Sequence, residues 1–142
     1  MASTFTTDKV GSGVQPLAGI GSHAVYAEYE LAAALVVNDV IQMVKVPAGA
    51  RITEVILTVD DLDSGTQLVL DVGDGSDQDR FIKQSSIGQT GGTVRLGSGI
   101  IDGACNYKYT ADDTIDVKVQ TAPQTGATSG TVCLTVFYTM QQ

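Results

Sequence analysis

From Thr131 to Met140 the chain alternates without a slip. Val132, Leu134, Val136, Tyr138 and Met140 fall on one register, and Thr131, Cys133, Thr135, Phe137 and Thr139 on the other. Residues 114–120 repeat the pattern, with Ile115, Val117 and Val119 set against Thr114, Asp116, Lys118 and Gln120. Successive side chains of a strand point to opposite faces, so such runs specify pleated ribbons with one face buried.

The same reading extends along the chain. Residues 22–32 alternate Val25, Ala27, Tyr29 and Leu31 against Tyr26, Glu28 and Glu30, a strand with one wetter face. Residues 31–37 (LAAALVV) read as one helical turn or a connecting bend, followed by a strand from Asp39 to Val46 and a turn at Pro47-Ala48-Gly49. Arg51 to Asp60 places Ile52, Ile56 and Thr58 on one side and Val55, Leu57 and Val59 on the other. A strand apolar on both faces is expected to be central or covered. Further strands are expected over Thr66–Val72, Arg80–Lys83, Val94–Leu96, Gly99–Ile101, Tyr107–Thr110, Thr114–Thr121 and Thr131–Met140. Gly88–Gly92 and Ala122–Gly130 read as loops, the latter mobile or used for contact. About eight to ten short strands spaced by turns predict an all-β antiparallel sandwich. A jelly-roll-like arrangement of two sheets suits this length best.

The 142 residues fit one domain, 22–142, preceded by an arm over residues 1–21 with no sustained period. Two readings fit the arm. It is a frayed terminus in the isolated chain, or an extended segment that orders against another subunit through Phe5, Val10, Val14, Leu17 and Ile20. Only 17% of residues are charged and 16 are glycine, which suits a surface largely covered by neighbours.

The net charge is −8, and the eight basic residues are dispersed from Lys9 to Lys118 without a cluster. Nucleic acid and anionic membranes both require clustered positive charge, so neither is an expected partner. The first residues show no basic segment followed by an apolar one, and no apolar run approaches the ~20 residues that span a bilayer. The expected place of synthesis is the cytoplasm of a host cell. There Cys105 and Cys133 default to thiols, although a disulfide between them stays open.

Catalytic chemistry finds little to use. His23 is the single histidine and no nucleophile-elbow pattern accompanies it, so no catalytic residue is assigned. Asp60, Asp61 and Asp63 cluster at one turn, and Asp71, Asp74, Asp77 and Asp79 at the next. Gly73-Asp74-Gly75-Ser76-Asp77 is the best calcium-loop candidate, but its spacing departs from the D-x-[DN]-x-[DN]-G pattern. It reads as a solvated hairpin loop, with no metal and no cofactor expected. Sugar clefts flanked by two carboxylates carry aromatic platforms, whereas tryptophan is absent here. Gly88-Gln89-Thr90-Gly91-Gly92 lacks the Lys-Ser/Thr of a phosphate loop. Tyr26, Tyr29, Tyr107, Tyr109 and Tyr138 are expected to fill strand faces and rims.

The segments YELAAALVVNDVIQMVKVPAGARITEVILTVDDLDSG (29–65), GDGSDQDRFI (73–82) and GTVCLTVFYT (130–139) resemble a recurrent kind of small tailed-bacteriophage virion structural protein. NDVIQ, the PAGARI turn and DVGDGSDQDRF are its most recognisable pieces. The resemblance implies capsid decoration or cement: a non-enzymatic β-sandwich, often a homotrimer, bridging major capsid protein subunits on the virion surface. The resemblance names no contact residues; those expected here for such a role are the arm (Phe5, Val10, Val14, Leu17) and the Gly88–Gly92 and Ala122–Gly130 loops. The alternatives are a tail, baseplate or head-fibre subunit, or a carbohydrate-binding adhesion module displayed on the particle.

Overall fold

The computed structural model describes residues 2–11, 13, 15–96 and 106–141. Among these, nine strands follow one another. The arm holds β1 (Thr4–Thr6) and a single helical turn, α1 (Asp8–Gly11). Then come β2 (Gly21–Glu30), β3 (Val40–Val46), β4 (Arg51–Val59), β5 (Val69–Gly73), β6 (Ile82–Ser85), β7 (Gly92–Arg95), β8 (Asp113–Thr121) and β9 (Thr131–Met140). A 3-10 turn over Ile87–Gln89 precedes β7.

Two sheets form, in the orders β1-β3-β8-β5-β6 and β2-β9-β4-β7. The antiparallel pairs β2·β9, β3·β8, β4·β7 and β5·β6 are nested, outermost with outermost and inward to the middle. An antiparallel ribbon nested in this way and wrapped across two sheets is a jelly roll, so the expected sandwich is observed with the expected winding. β1 is an addition, running parallel to β3 at the sheet edge.

The alternation read from the sequence places the core. Val132, Leu134, Val136 and Tyr138 of β9 are buried and face Ile115, Val117 and Val119 of β8 across the sandwich. Every Leu, Val and Ile in that set is at most 1% exposed, so removing one opens a cavity in a closed interior.

Three expectations need correction, and Cys133 is placed as well. Ile52 does not oppose Val55, because a bulge at Thr53 slips the β4–β9 register and turns Ile52 into the core beside Val55, Leu57 and Val59. A bulge adds one residue to one strand and so inverts the face of everything beyond it. The strand expected from Thr66 starts only at Val69, because the amides of Gln67 and Leu68 donate to the Asp63 carboxylate, 3.0 Å each, instead of to a neighbouring strand. Tyr107–Thr110 is not a strand; Lys108 makes one isolated bridge to Arg51, flanked by Tyr109 N–H to the Ala50 carbonyl at 2.8 Å. Cys133 is half-buried on the outer face of β9, where the Tyr26 hydroxyl lies 3.5 Å from its sulfur. Its pairing with Cys105, like the expected Gly99–Ile101 strand, falls outside the described residues.

Candidate functional site

Three regions carry the side chains singled out by the sequence: the arm, one end of the sandwich, and the loop between β5 and β6. The arm runs lengthwise beside the edge strand β3. Thr4, Phe5 and Thr6 pair in parallel with Val40, Ile41 and Gln42. Ser3 N–H reaches Asp39 Oδ1 at 2.8 Å, Thr7 N–H reaches the Gln42 carbonyl at 3.0 Å, and the Thr7 hydroxyl donates to the Met43 carbonyl. Phe5 tilts against Tyr29 with ring centroids 5.4 Å apart. Val10 is half-buried in α1, whereas Leu17 and Ile20 are 64% and 69% exposed. Val14 lies outside the described residues. Between this segment and the β2–β9 face opens a groove of about 600 Å3, lined by Pro16, Leu17, Val25, Tyr26, Lys45 and Tyr138 among others.

At one end of the sandwich, Asp63 gathers the loops. It is buried, and both its oxygens accept backbone amides. Oδ1 takes Gly65 and Thr125 at 2.8 and 2.9 Å, and Oδ2 takes Gln67, Leu68 and Gln124, each at 3.0 Å. Burial pushes its pKa up, but these amides more than offset that and hold it well below the ordinary aspartate range. The Ala122–Gly130 loop is therefore tied down, and Ala127 N–H adds a bond to the Leu62 carbonyl at 3.0 Å. Gly88–Gly92 meets the same turn. Gly88 is buried, its carbonyl accepts from Leu62 N–H at 2.8 Å, and a Cβ there would meet Leu68 at 2.6 Å. Both loops are fixed parts of one platform, which also presents Val36 and Val37, 41% and 47% exposed.

The Gly73–Asp79 loop, read as solvated, is organised around a buried carboxylate. Asp74 is fully enclosed and accepts from Arg80 Nε at 2.7 Å, the Tyr109 hydroxyl at 2.8 Å, Asp77 N–H at 2.9 Å and the Ser76 hydroxyl at 2.9 Å. Arg80 also stacks on Tyr107, its guanidinium carbon 3.8 Å from the ring centroid. Burial raises the Asp74 pKa, but Arg80, Tyr109 and Ser76 outweigh it, leaving the carboxyl below its usual range. The cation in this loop is a guanidinium. A Cβ at Gly73 would sit 2.2 Å from the Asp77 carbonyl, so the loop closes only over glycine.

Sequence reasoning placed Asp63 in an acidic turn without its partners and passed over Asp116. Asp63 sits in an ordinary Asp-Ser-Gly turn, and its long-range amides arrive only with the fold. Asp116 occupies a polar position of an alternating strand, yet it is 8% exposed and its Oδ1 finds no partner among the described residues. Burial is the main reason its pKa rises to about 7, with the charges of Asp113 and Asp74 adding and a hydrogen bond from Thr114 opposing.

Among the described residues, no three His, Cys, Asp or Glu side chains group to hold a metal, and no helix is long and apolar enough to cross a membrane. His23 packs 5.3 Å from the Tyr138 ring and contacts the Gly19 carbonyl at 2.5 Å. Tyr109 and Tyr138 are buried, Tyr29 and Tyr107 half-buried, and Tyr26 is 45% exposed.

Comparison with solved structures gives these surfaces a setting. The chain superimposes on a chain of the capsid of Ralstonia phage GP4 with a TM-score of 0.78 and 26% identity, covering 98% of this chain and 99% of that one. It also matches a chain of the cyanophage Pam1 capsid asymmetric unit (TM-score 0.75, 21% identity, 92% and 96% covered). A third match is a chain of the acid-stable capsid of Helicobacter pylori bacteriophage KHP30 (TM-score 0.61, 16% identity, 88% and 92% covered). The latter two establish likeness of fold alone. No protein-family model matches the chain, and no curated protein matches it. The chain thus resembles, over nearly its whole length, structural components of phage capsids. That likeness supports a virion structural role and a location in the virion.

Proposed function

We propose that this chain is a non-enzymatic capsid decoration or cement protein that bridges major capsid protein subunits on the virion surface. The end-to-end likeness to a chain of the GP4 capsid carries this reading. The sandwich supplies the rigid body such a role needs: nested pairing with a closed core, and loops pinned by Asp63 and Asp74. Its β2–β9 face presents Ala24, Tyr26, Thr135 and Phe137 beside Glu28 and Glu30. Each contact of this kind is weak, and simultaneous engagement of several subunits multiplies them into a durable hold. A trimer seated on local three-fold axes is the assembly that fits such bridging.

The test uses heads purified without this protein. Adding the purified chain should saturate a fixed number of sites per head and raise the temperature at which heads release DNA. Absence of binding to heads, with binding to tails or host glycans instead, would overturn the reading.

A further inference from the structure

We propose that the outer edge of β2 pairs antiparallel with the same edge of a second copy of this chain, joining their four-stranded β2-β9-β4-β7 sheets edge to edge. The proposal is independent of the virion reading.

β2 is the edge strand of its sheet, and a bond just past its end fixes which of its residues face outward. The Leu31 amide donates to the Gly130 carbonyl at 2.9 Å, continuing the β2–β9 register by one pair. Bonded and non-bonded pairs alternate along an antiparallel ladder. Gly21, His23, Val25, Ala27 and Tyr29 therefore turn their backbone groups to β9, and Ser22, Ala24, Tyr26, Glu28 and Glu30 turn theirs away. β4 agrees from the other side of β9. Asp60 N–H bonds the Thr131 carbonyl at 3.1 Å, so Thr131, Cys133 and Thr135 serve β4 and the residues between them serve β2. All five outward residues of β2 are exposed. Among the described residues, no backbone bond outside the β2–β9 ladder reaches them.

An open edge is a template for any passing strand, and proteins keep such edges short, bulged, charged or covered. The other three edges of this sandwich comply. β1 has three residues, β7 four, and β6 four, with a register shift against β5 and a φ of 56° at Gln84. β2 runs ten residues in unbroken register, without proline or lysine, and its two glutamates sit together at one end. Alongside Ala24, Val25 and Tyr26 the groove of about 600 Å3 leaves space for an added strand.

The sequence of β2 is complementary to itself. When two copies meet antiparallel, the register centred on Tyr26 is the one that engages all five outward residues. Tyr26 then opposes the same residue of the second copy, Ala24 opposes Glu28, and Ser22 opposes Glu30. Each bonded pair exchanges two bonds, which gives about ten across the junction. No carboxylate faces another in this register, whereas a centre at Glu28 would oppose two of them, an arrangement that destabilises a sheet. On the outer face the two Tyr26 rings form a cross-strand aromatic pair. On the inner face Val25 meets Ala27 of the other copy at the mouth of the groove. A patch that matches itself about a two-fold axis closes at two copies, so one contact removes both open edges. Contacts elsewhere on the sandwich stay available for joining such pairs.

Light scattering on the full chain across a concentration series, under reducing conditions, tests this with two variants. Ala24→Pro removes an amide that points away from β9, so it blocks the edge and leaves the β2–β9 ladder whole. Tyr26→Lys sets two like charges opposite each other on the two-fold axis. The expected wild-type mass is twice 14.8 kDa, or an even multiple of 14.8 kDa where other contacts join the pairs. Each variant should halve it while the far-ultraviolet circular dichroism spectrum stays unchanged. Mixing Tyr26→Lys with Tyr26→Glu chains should restore several-fold more of the paired mass than either gives alone, because only a register centred on Tyr26 brings the two substituted positions together. A wild type of one or three copies at every concentration overturns the proposal. So does a mass that Ala24→Pro and Tyr26→Lys both leave unchanged; if those folded variants also lose binding to heads, the edge belongs to a strand of a different protein.

Discussion

Replacing Asp116 with asparagine should stabilise the protein at pH 8 and leave it almost unchanged at pH 4. Asp116 sits on β8, in register with Gln42 of β3 and Gly73 of β5. Burial and the neighbouring Asp113 and Asp74 raise its folded pKa to about 7, whereas the unfolded chain titrates near ~3.9. The folded state therefore holds the proton more tightly than the unfolded one between these values. Stability contributed by this group must fall as pH rises from ~4 to ~7, and stay level on either side. At ~1.4 kcal/mol per pKa step, the penalty at alkaline pH approaches about 4 kcal/mol. Partial solvent access to the group screens that to about 2 kcal/mol. For a domain of this size 1 kcal/mol moves the melting temperature by roughly 3–4 °C. Thermal melts of wild type and Asp116→Asn from pH 4 to 8.5 read the effect directly. The melting temperature of the variant should exceed that of wild type by roughly 6–8 °C at pH 8, the gap closing toward pH 4. A constant gap across the whole range would refute the reasoning, since it would mean that Asp116 is charged and satisfied in the folded protein at neutral pH. Carboxylates such as Asp63 and Asp74, whose pKa values are lowered, act in the opposite sense and lose stability as pH falls, but they are common to both chains and cancel.

Arg80→Ala leaves the enclosed Asp74 carboxylate without its cation and should destabilise by about 3–5 kcal/mol, seen as a lower urea midpoint at unchanged slope. Arg80→Lys should recover only part of this, because a lysine cannot reproduce the Nε contact while stacking on Tyr107. Asp63→Ala orphans five amides and should be the most damaging of the aspartate substitutions, with Asp63→Asn intermediate; limited proteolysis should then cut within Ala122–Gly130, a segment expected to resist in wild type. Leu134→Ala, which opens a cavity where nothing is exposed, should cost about 2–5 kcal/mol in chemical denaturation.

The strands were legible because period two is a local property. β9 and β8 run where the alternation puts them, and the half-polar face of β2 is the one that stays outside. Chain length and the spacing of turns were enough to favour a jelly roll. What the sequence could not disclose depends on contacts between distant residues. Ile52 and Val55 look like opposite faces until the bulge at Thr53 is seen against β9. Asp63 and Asp74 look like turn formers in acidic loops, and only the arrival of Thr125 and Tyr109 from far along the chain turns them into buried acceptors. Gly88 and the Ala122–Gly130 segment have loop composition, and composition does not reveal that Leu62 and Asp63 fasten both to one platform.

The same distinction locates the parts available to partners. Loops proposed for contact from their composition prove to be held by the body, so they present a fixed shape. The arm is the reverse case. Its first residues carry a precise strand register while its tether carries glycine, exposed leucine and isoleucine, and open space. Residues 4–6 complete the five-stranded sheet by covering the β3 edge, so the backbone groups of that edge are not left open to a passing strand.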